Sequence, residues 1–262
     1  MTDRISFRIF MKKFVKEKIA YNPKKKPLVS VVIPSFNRFE YLINAVDSVK
    51  NQSYLNFEIV IVNDGSSDER YKKYNLGKKV KMIHLEQNQK KINGFGPGSI
   101  RNFGTDASSG DILAFLDDDD IWLENKLEEQ LSSMSANRIG MSSTEAYFGK
   151  GVFEQSKNYK LYNREVFIKD LKYLYKNTSF IKKDLLPKIW TYDFTIVHNC
   201  FITSSVLIDK KIFNILGGFR GLPLWADYDC WIGLQQLTDS IYVDNPLVYY
   251  DSAHAEGRNY KK

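Results

Sequence analysis

ILAFLDDDDIW, residues 112–122, runs five apolar residues directly into four consecutive carboxylates. A short apolar run of this kind reads as a strand buried on both faces, which belongs in a parallel sheet covered by helices. Three other segments repeat the move. LVSVVIPSF (28–36) is a buried strand, and the stretch after it sets Leu42, Ala45, Val46 and Val49 on one helical face. FEIVIVNDGSS (57–67) ends a second apolar run in Asn, Asp and Gly, and KVKMIHL (79–85) reads as a third strand. The Gly-rich INGFGPGS then leads into a short helix around 100–107, ahead of ILAFL. Strands alternating with helices predict an α/β fold with a mainly parallel sheet flanked by helices. Further on, LENKLEEQLSSM (123–134) reads as a helix, CFITSSVLI (200–208) as a strand, DYDCWIGLQQL (227–237) as a late helix and NPLVYYD as the last strand. Between about 147 and 194 the pattern is lost in an aromatic-rich stretch. Tyr162, Tyr173, Trp190 and Tyr192 are suited there to stack on a ligand's rings or to fill core.

Composition narrows the function. With 262 residues, 43% of them hydrophobic and 14% aromatic, the chain encloses one substantial core. Cys200 and Cys230 lack any zinc-cluster or disulfide spacing and read as buried thiols. No apolar run approaches the roughly 20 residues that span a bilayer. The N-terminus also lacks the continuous apolar segment of a secretory signal, so the expected location is cytoplasmic. The formal charge of +7 lies wholly in residues 1–26, which hold nine Lys or Arg against Asp3 and Glu17. A neutral remainder argues against a nucleic-acid-binding body, whose basic footprint belongs on the folded surface. What is left is a basic N-terminal arm. Its Phe7, Phe10, Met11, Phe14 and Val15 recur at near-helical spacing, which suits docking on the domain, self-association or contact with an anionic membrane.

In open parallel sheets, ligands bind at the carboxyl ends of the strands. PSFNR, NDGSSD and DDDD all fall at such ends and describe one site. Four adjacent carboxylates are unfavourable without a compensating cation. Hard divalent ions such as Mn²⁺ or Mg²⁺ prefer carboxylate oxygens and keep positions open for phosphate oxygens. Helix capping accounts for one of the four, Asp120 before ENKLEEQL, and leaves three for a metal or metal-diphosphate. No dinucleotide-binding glycine pattern, Walker lysine, G-x-S-x-G elbow or H-E-x-x-H is present.

VSVVIPSFNR, EIVIVNDGSSD and GSIRNFGTDASSGDILAFLDDDDIW resemble, in order and spacing, the nucleotide-binding half of the family 2 glycosyltransferases of GT-A fold. The likeness covers residues 28–130 and resumes near 198–254. It implies a Rossmann-like nucleotide-diphospho-sugar transferase over residues 27–262, with a nucleotide-sugar half at 27–135 and an acceptor half at 136–262. The family's D-x-D motif falls on Asp117, Asp118 and Asp119. Asp119 and Asp117 are then metal ligands, and Asp118 lies near the donor ribose. The resemblance gives Asp64 to the uracil N3–H, Pro34, Phe36 and Asn37 to the base pocket, and Arg101 to the nucleotide or its phosphates. Asp64 as a mere Asp-Gly turn residue and Arg101 as a surface ion pair are the plainer alternatives.

GGFRGLPLWADYDCW (217–231) resembles the family segment in which Gly-Gly-Phe precedes an acidic pair. Ala226 replaces the first acid, which leaves Asp227 at the position of the catalytic base. Asp229 is its nearest rival and a helix N-cap its plainer role. His254, in YYDSAH, matches a position that completes the metal or diphosphate shell, although Asp251 stands where the family commonly has Arg. His198 carries a weaker signal. The implied activity is inverting transfer from a UDP-sugar to a glycan or glycoconjugate hydroxyl, with Mn²⁺ or Mg²⁺. A nucleotidyltransferase would need a Gly-rich phosphate loop with Lys or Arg after the first strand, which PSFNR does not supply. A non-catalytic scaffold recruited by the basic arm is the other alternative.

Overall fold

The computed structural model describes residues 17–94 and 96–254. The arm's apolar stripe lies outside the described residues. Over 17–26 the chain forms no helix. Instead Ile19 and Tyr21 donate backbone hydrogen bonds to Leu237 (2.7 Å) and Arg138 (3.0 Å), and Tyr21 is buried.

The strands are β1 (Val29–Ser35), β2 (Phe57–Asn63), β3 (Val80–His84), β4 (Ile112–Phe115), β5 (Ile121–Trp122), β6 (Met141–Gly149), β7 (Lys160–Leu161), β8 (Ile189–Trp190), β9 (Leu207–Asp209) and β10 (Ser240–Asp251). The helices are α1 (Phe39–Lys50), α2 (Arg70–Lys73), α3 (Gln89–Asn93), α4 (Pro97–Asp106), α5 (Lys126–Asn137), α6 (Ile168–Leu174), α7 (Tyr192–Thr195), α8 (Lys210–Leu216) and α9 (Ala226–Leu234). One sheet runs β3-β2-β1-β4-β9-β6-β10-β5, with β7 beside β6 and β8 beside β10. β1 to β4 pair in parallel, as the alternation with helices predicts, and β6 pairs in parallel with β10. The short β9 is antiparallel to both β4 and β6 and joins the two parallel blocks.

Side-chain alternation explains the two-sided core. Val29, Val31 and Ile33 of β1 pack on one face with Leu42, Val46 and Val49 of α1, together with Ile112 and Ala114 of β4. Val32, Leu113 and Phe115 point to the other face and meet Phe213, Phe219 and Trp231. Helix α4 lies so close to the sheet that a Cβ on Gly104 would come within 2.4 Å of Val32, so only glycine fits there. The aromatic stretch builds core from β8, α6, α7 and a π-helical turn at Tyr162–Val166. Trp190 is fully buried and stacks on Tyr242, whereas Tyr173 is 67% exposed. Cys200 and Cys230 are free and buried.

Two predicted elements come out differently. The segment expected as a strand at 200–208 is a 3₁₀ turn at Thr203–Ser205 followed by the three residues of β9, because the Ser205 and Val206 backbone N–H groups bond back to Ile202 O (2.8 Å) and Thr203 O (3.1 Å) rather than to a neighbouring strand. Helix α5 begins at Lys126 with Asn125 in the capping position, so Asp120 does not cap it. No described helix is long and apolar enough to cross a membrane.

Candidate functional site

The ends of β1 and β2 are stitched together by the loops that follow them. Asn37 adopts φ 53°, a left-handed conformation that Asn tolerates well. Its Oδ1 accepts from the Ser67 backbone N–H at 2.9 Å, and its own N–H donates to Ser66 Oγ at 2.9 Å. Pro34 is buried within β1 opposite Val62, Phe36 is half-buried and Asn37 is exposed. Asp64, 2% exposed, accepts from Asn88 Nδ2 at 2.7 Å and from the Gln89 backbone N–H at 2.9 Å. This holds the start of α3 against β2. The approach is close, since a Cβ on Gly65 would meet the Asn88 backbone nitrogen at 2.7 Å. Burial pushes the Asp64 carboxyl up to about 6. Each carboxylate oxygen offers two lone pairs, so both keep room for a further donor.

The acid run does not behave as one cluster. Asp117 pairs with the buried Arg101. Asp118 and Asp119 share Arg38, whose Nη1 lies 3.2 Å from Asp118 Oδ1 and 3.1 Å from Asp119 Oδ2. Asp118 Oδ2 is buried and accepts no hydrogen bond. Burial raises the Asp118 and Asp119 carboxyls above the usual carboxylate range, and for Asp119 the neighbouring charges of Asp118 and Asp117 add to the effect. Asp120 turns the other way, into the core. It accepts from Ser204 Oγ at 2.5 Å and from the Asp251 backbone N–H at 3.0 Å. Burial, with the charges of Asp119 and Asp117, raises it furthest. The fourth carboxyl therefore clamps β10 to the site, in place of the capping role the sequence suggested.

The second half of the chain reaches the acids through Thr203–Ser205. Ser204 Oγ accepts from the Asp117 backbone N–H at 3.0 Å while it donates to Asp120. Ser204 O is held from behind by Trp122 Nε1 at 2.7 Å. Thr203 Oγ1 donates to Asp227 Oδ2 at 3.3 Å, placing the first turn of α9 beside the cluster. The residue that caps α9 is Trp225, 75% exposed at φ 58°, so Asp227 is not a helix cap. Asp229, the rival, is neutralised by a two-pronged ion pair with Arg220. His254 Nδ1 lies 3.9 Å from Asp119 Oδ2, and Asp251 Oδ1 accepts from the Gly151 and Ala253 backbone N–H groups. Asp117, Asp118, Asp119, Arg101, His254 and Asp227 are thus linked in one region. Asp64 joins them through β1, where its N–H donates to Ser35 O at 2.9 Å. His198 is exposed, and partial desolvation lowers its pKa.

Sequence reasoning missed Arg38, Thr203 and Ser204. Arg38 had a usable signal, because it sits in PSFNR and four like charges require nearby cations. The hydroxyl pair had none, since its partners are 24 and 84 residues away.

Among the described residues no three His, Cys, Asp or Glu side chains converge as a ready-made metal cage. Mg²⁺-type ions are commonly held by one or two carboxylates with waters and substrate phosphates completing the shell. Asp119, with His254 Nδ1 3.9 Å from its Oδ2 and the Asp117 charge beside it, fits that kind of donor set.

Solved structures share this architecture. Staphylococcus aureus TarS 1–349 in complex with UDP-GlcNAc superposes with a TM-score of 0.59 at 16% identity, over 86% of this chain and 58% of that one. The mannosyltransferase PcManGT from Pyrobaculum calidifontis, in complex with GDP-Man and Mn²⁺, gives 0.62 at 16% identity over 98% and 65%. The fold is that of the GT-A glycosyltransferases. The sequence pattern described as Glycosyl transferase family 2 matches residues 30–206, and the chain belongs to that family. A glycosyltransferase of Rickettsia bellii is 38% identical over 234 residues, 88% of this chain and 30% of the relative. The Escherichia coli UDP-Glc:alpha-D-GlcNAc-diphosphoundecaprenol beta-1,3-glucosyltransferase WfgD is 30% identical over 190 residues, 71% of this chain and 62% of the relative. The chain spans between 30% and 65% of the length of the rickettsial relatives it matches.

Proposed function

We propose that this chain transfers a sugar, with inversion, from a nucleotide-diphosphate donor to an acceptor hydroxyl, in glycan or glycoconjugate synthesis. The observation that carries the reading is the Thr203–Ser204 turn, which ties Asp227 to the strand-end aspartates through three hydrogen bonds. UDP is the favoured nucleotide. Support comes from the relative named for UDP-Glc, from the solved neighbour holding UDP-GlcNAc, and from Asp64, a carboxylate with lone pairs free for a base N–H. Pro34, Phe36 and Asn37 line the base pocket in this reading.

Asp227 takes the proton from the acceptor hydroxyl as that oxygen attacks the anomeric carbon, and no covalent intermediate is needed. The capture of Asp229 by Arg220 leaves Asp227 as the acid of α9 suited to that task. Asp119, His254 and Asp117 would hold Mn²⁺ or Mg²⁺, which when bound neutralises charge on the departing diphosphate. Asp118 faces the donor ribose, and Arg101 steadies Asp117 from the nucleotide side. Residues 27–135 act as the nucleotide-sugar half and 136–262 as the acceptor half, and the basic arm of residues 1–26 provides peripheral membrane contact or self-association.

Calorimetric titration of UDP with and without Mn²⁺ tests the core of this reading. Binding should strengthen at least about tenfold with metal and lose that gain in Asp119→Asn. Equal binding with and without metal would leave a scaffold as the better description.

A further inference from the structure

The Asp118–Asp119 pair already holds a cation: the Arg38 guanidinium. One nitrogen, Nη1, sits 3.2 Å from Asp118 Oδ1 and 3.1 Å from Asp119 Oδ2, and the side chains of all three residues are at most 16% exposed. Asp119 Oδ2 is also the atom facing His254 Nδ1 at 3.9 Å. A divalent ion bound to that oxygen therefore meets the guanidinium in a poorly solvated space. Like charges a few ångströms apart repel more strongly there than in water, because little solvent screens them. The main chain of Arg38 is fixed where the β1 loop enters α1, its N–H held by Tyr71 OH at 3.0 Å, so an exchange would involve the side chain alone. The Asp118 Oδ2 atom, buried without a hydrogen-bond donor, shows that the guanidinium does not satisfy the pair completely.

We infer that Arg38 is a resident counter-ion that exchanges with the metal: it occupies the aspartate pair in the free protein and is released toward the donor diphosphate when the ion enters. This rests on the metal-dependent reading above. The exchange keeps the buried carboxylates compensated in both states, and it couples metal entry to donor entry because the displaced guanidinium gains a new anionic partner.

Mn²⁺ titrations followed by electron paramagnetic resonance, with and without UDP, test the exchange. Without UDP, Arg38→Gln and Arg38→Met should each bind Mn²⁺ at least about tenfold tighter than wild type, while Arg38→Lys, which keeps the charge, should show little gain. The strengthening of Mn²⁺ binding by UDP should be smaller in the Gln and Met variants than in wild type. Thermal melts establish that each variant is folded. Should neither neutral variant fold, wild type decides alone, since Mn²⁺ affinity that does not respond to UDP overturns the exchange. If wild type binds Mn²⁺ with UDP but the neutral variants show unchanged or weaker affinity without it, Arg38 is a fixed counter-ion and the exchange is wrong while the metal reading stands. Absence of Mn²⁺ binding in every protein, with UDP present, removes both.

Discussion

The two halves of the molecule build the same site by different means. In residues 29–120 most candidate groups follow directly from the end of a parallel strand: Asn37 and Arg38 after β1, Asp64 after β2, Asp117 to Asp119 after β4, with Arg101 added from α4. Chain direction and strand burial alone bring those ends to one edge. In residues 136–254 the contributing groups lie on a 3₁₀ turn, on the first turn of α9 and just past β10, and long-range hydrogen bonds bring them in. The first half presents a ready platform, whereas the second half must be docked onto it.

The sharpest way to break this comparison is Asp227→Asn. Loss of the proton acceptor should lower turnover about 10²- to 10⁴-fold, measured as UDP release from a UDP-sugar, while calorimetric UDP binding to the first half stays unchanged. A parallel loss of UDP binding would mean that the halves are not separable in this way.

Ser204→Ala attacks the docking itself. It strips a donor from the buried Asp120 and an acceptor from the Asp117 N–H, so stability should fall by about 2 kcal/mol, read from denaturant unfolding. An exposed serine would cost far less, and an unchanged midpoint would show that Asp120 is held by Asp251 alone.

The smallest expected effect lies in the first half and concerns pH. The Asp64 carboxyl is raised to about 6, chiefly by burial, with the Gln89 N–H pulling it down. The folded chain therefore holds this proton up to a higher pH than the unfolded chain does, and its share of folding stability falls as pH rises from about 4 to 6. UDP affinity should follow the opposite course, full about one pH unit above that value and declining several-fold toward pH 5 as the acceptor carboxylate is protonated. Asp64→Asn should flatten that decline in calorimetry at the two pH values. A wild-type profile without slope would place the base elsewhere.

Legibility follows the same division. The strand–helix alternation of β1 to β4 and the strand-end position of the acids were open to reading, because burial on both faces leaves continuous apolar runs. The stretch from 147 to 194 was not, because its aromatics pack by tertiary fit: Trp190 fills core against Tyr242 while Tyr173, of the same chemical kind, faces solvent. Asp120 was misplaced because a carboxylate ahead of a helical pattern looks the same whether it caps a helix or reaches across to Ser204 and Asp251.

By itself the sequence determined a covered parallel sheet with acidic groups at one edge, since backbone periodicity and the direction of a parallel strand are properties of short segments. Only the tertiary structure decided which acid does what. Asp120 was drawn inward by partners 84 and 131 residues away, Asp118 and Asp119 were given to an arginine 80 and 81 residues before them, and Asp229 was paired with Arg220 while Asp227 was bonded to Thr203. The reason is that the state of a carboxylate depends on its solvation and on the charges within a few ångströms, and chain order does not fix those distances.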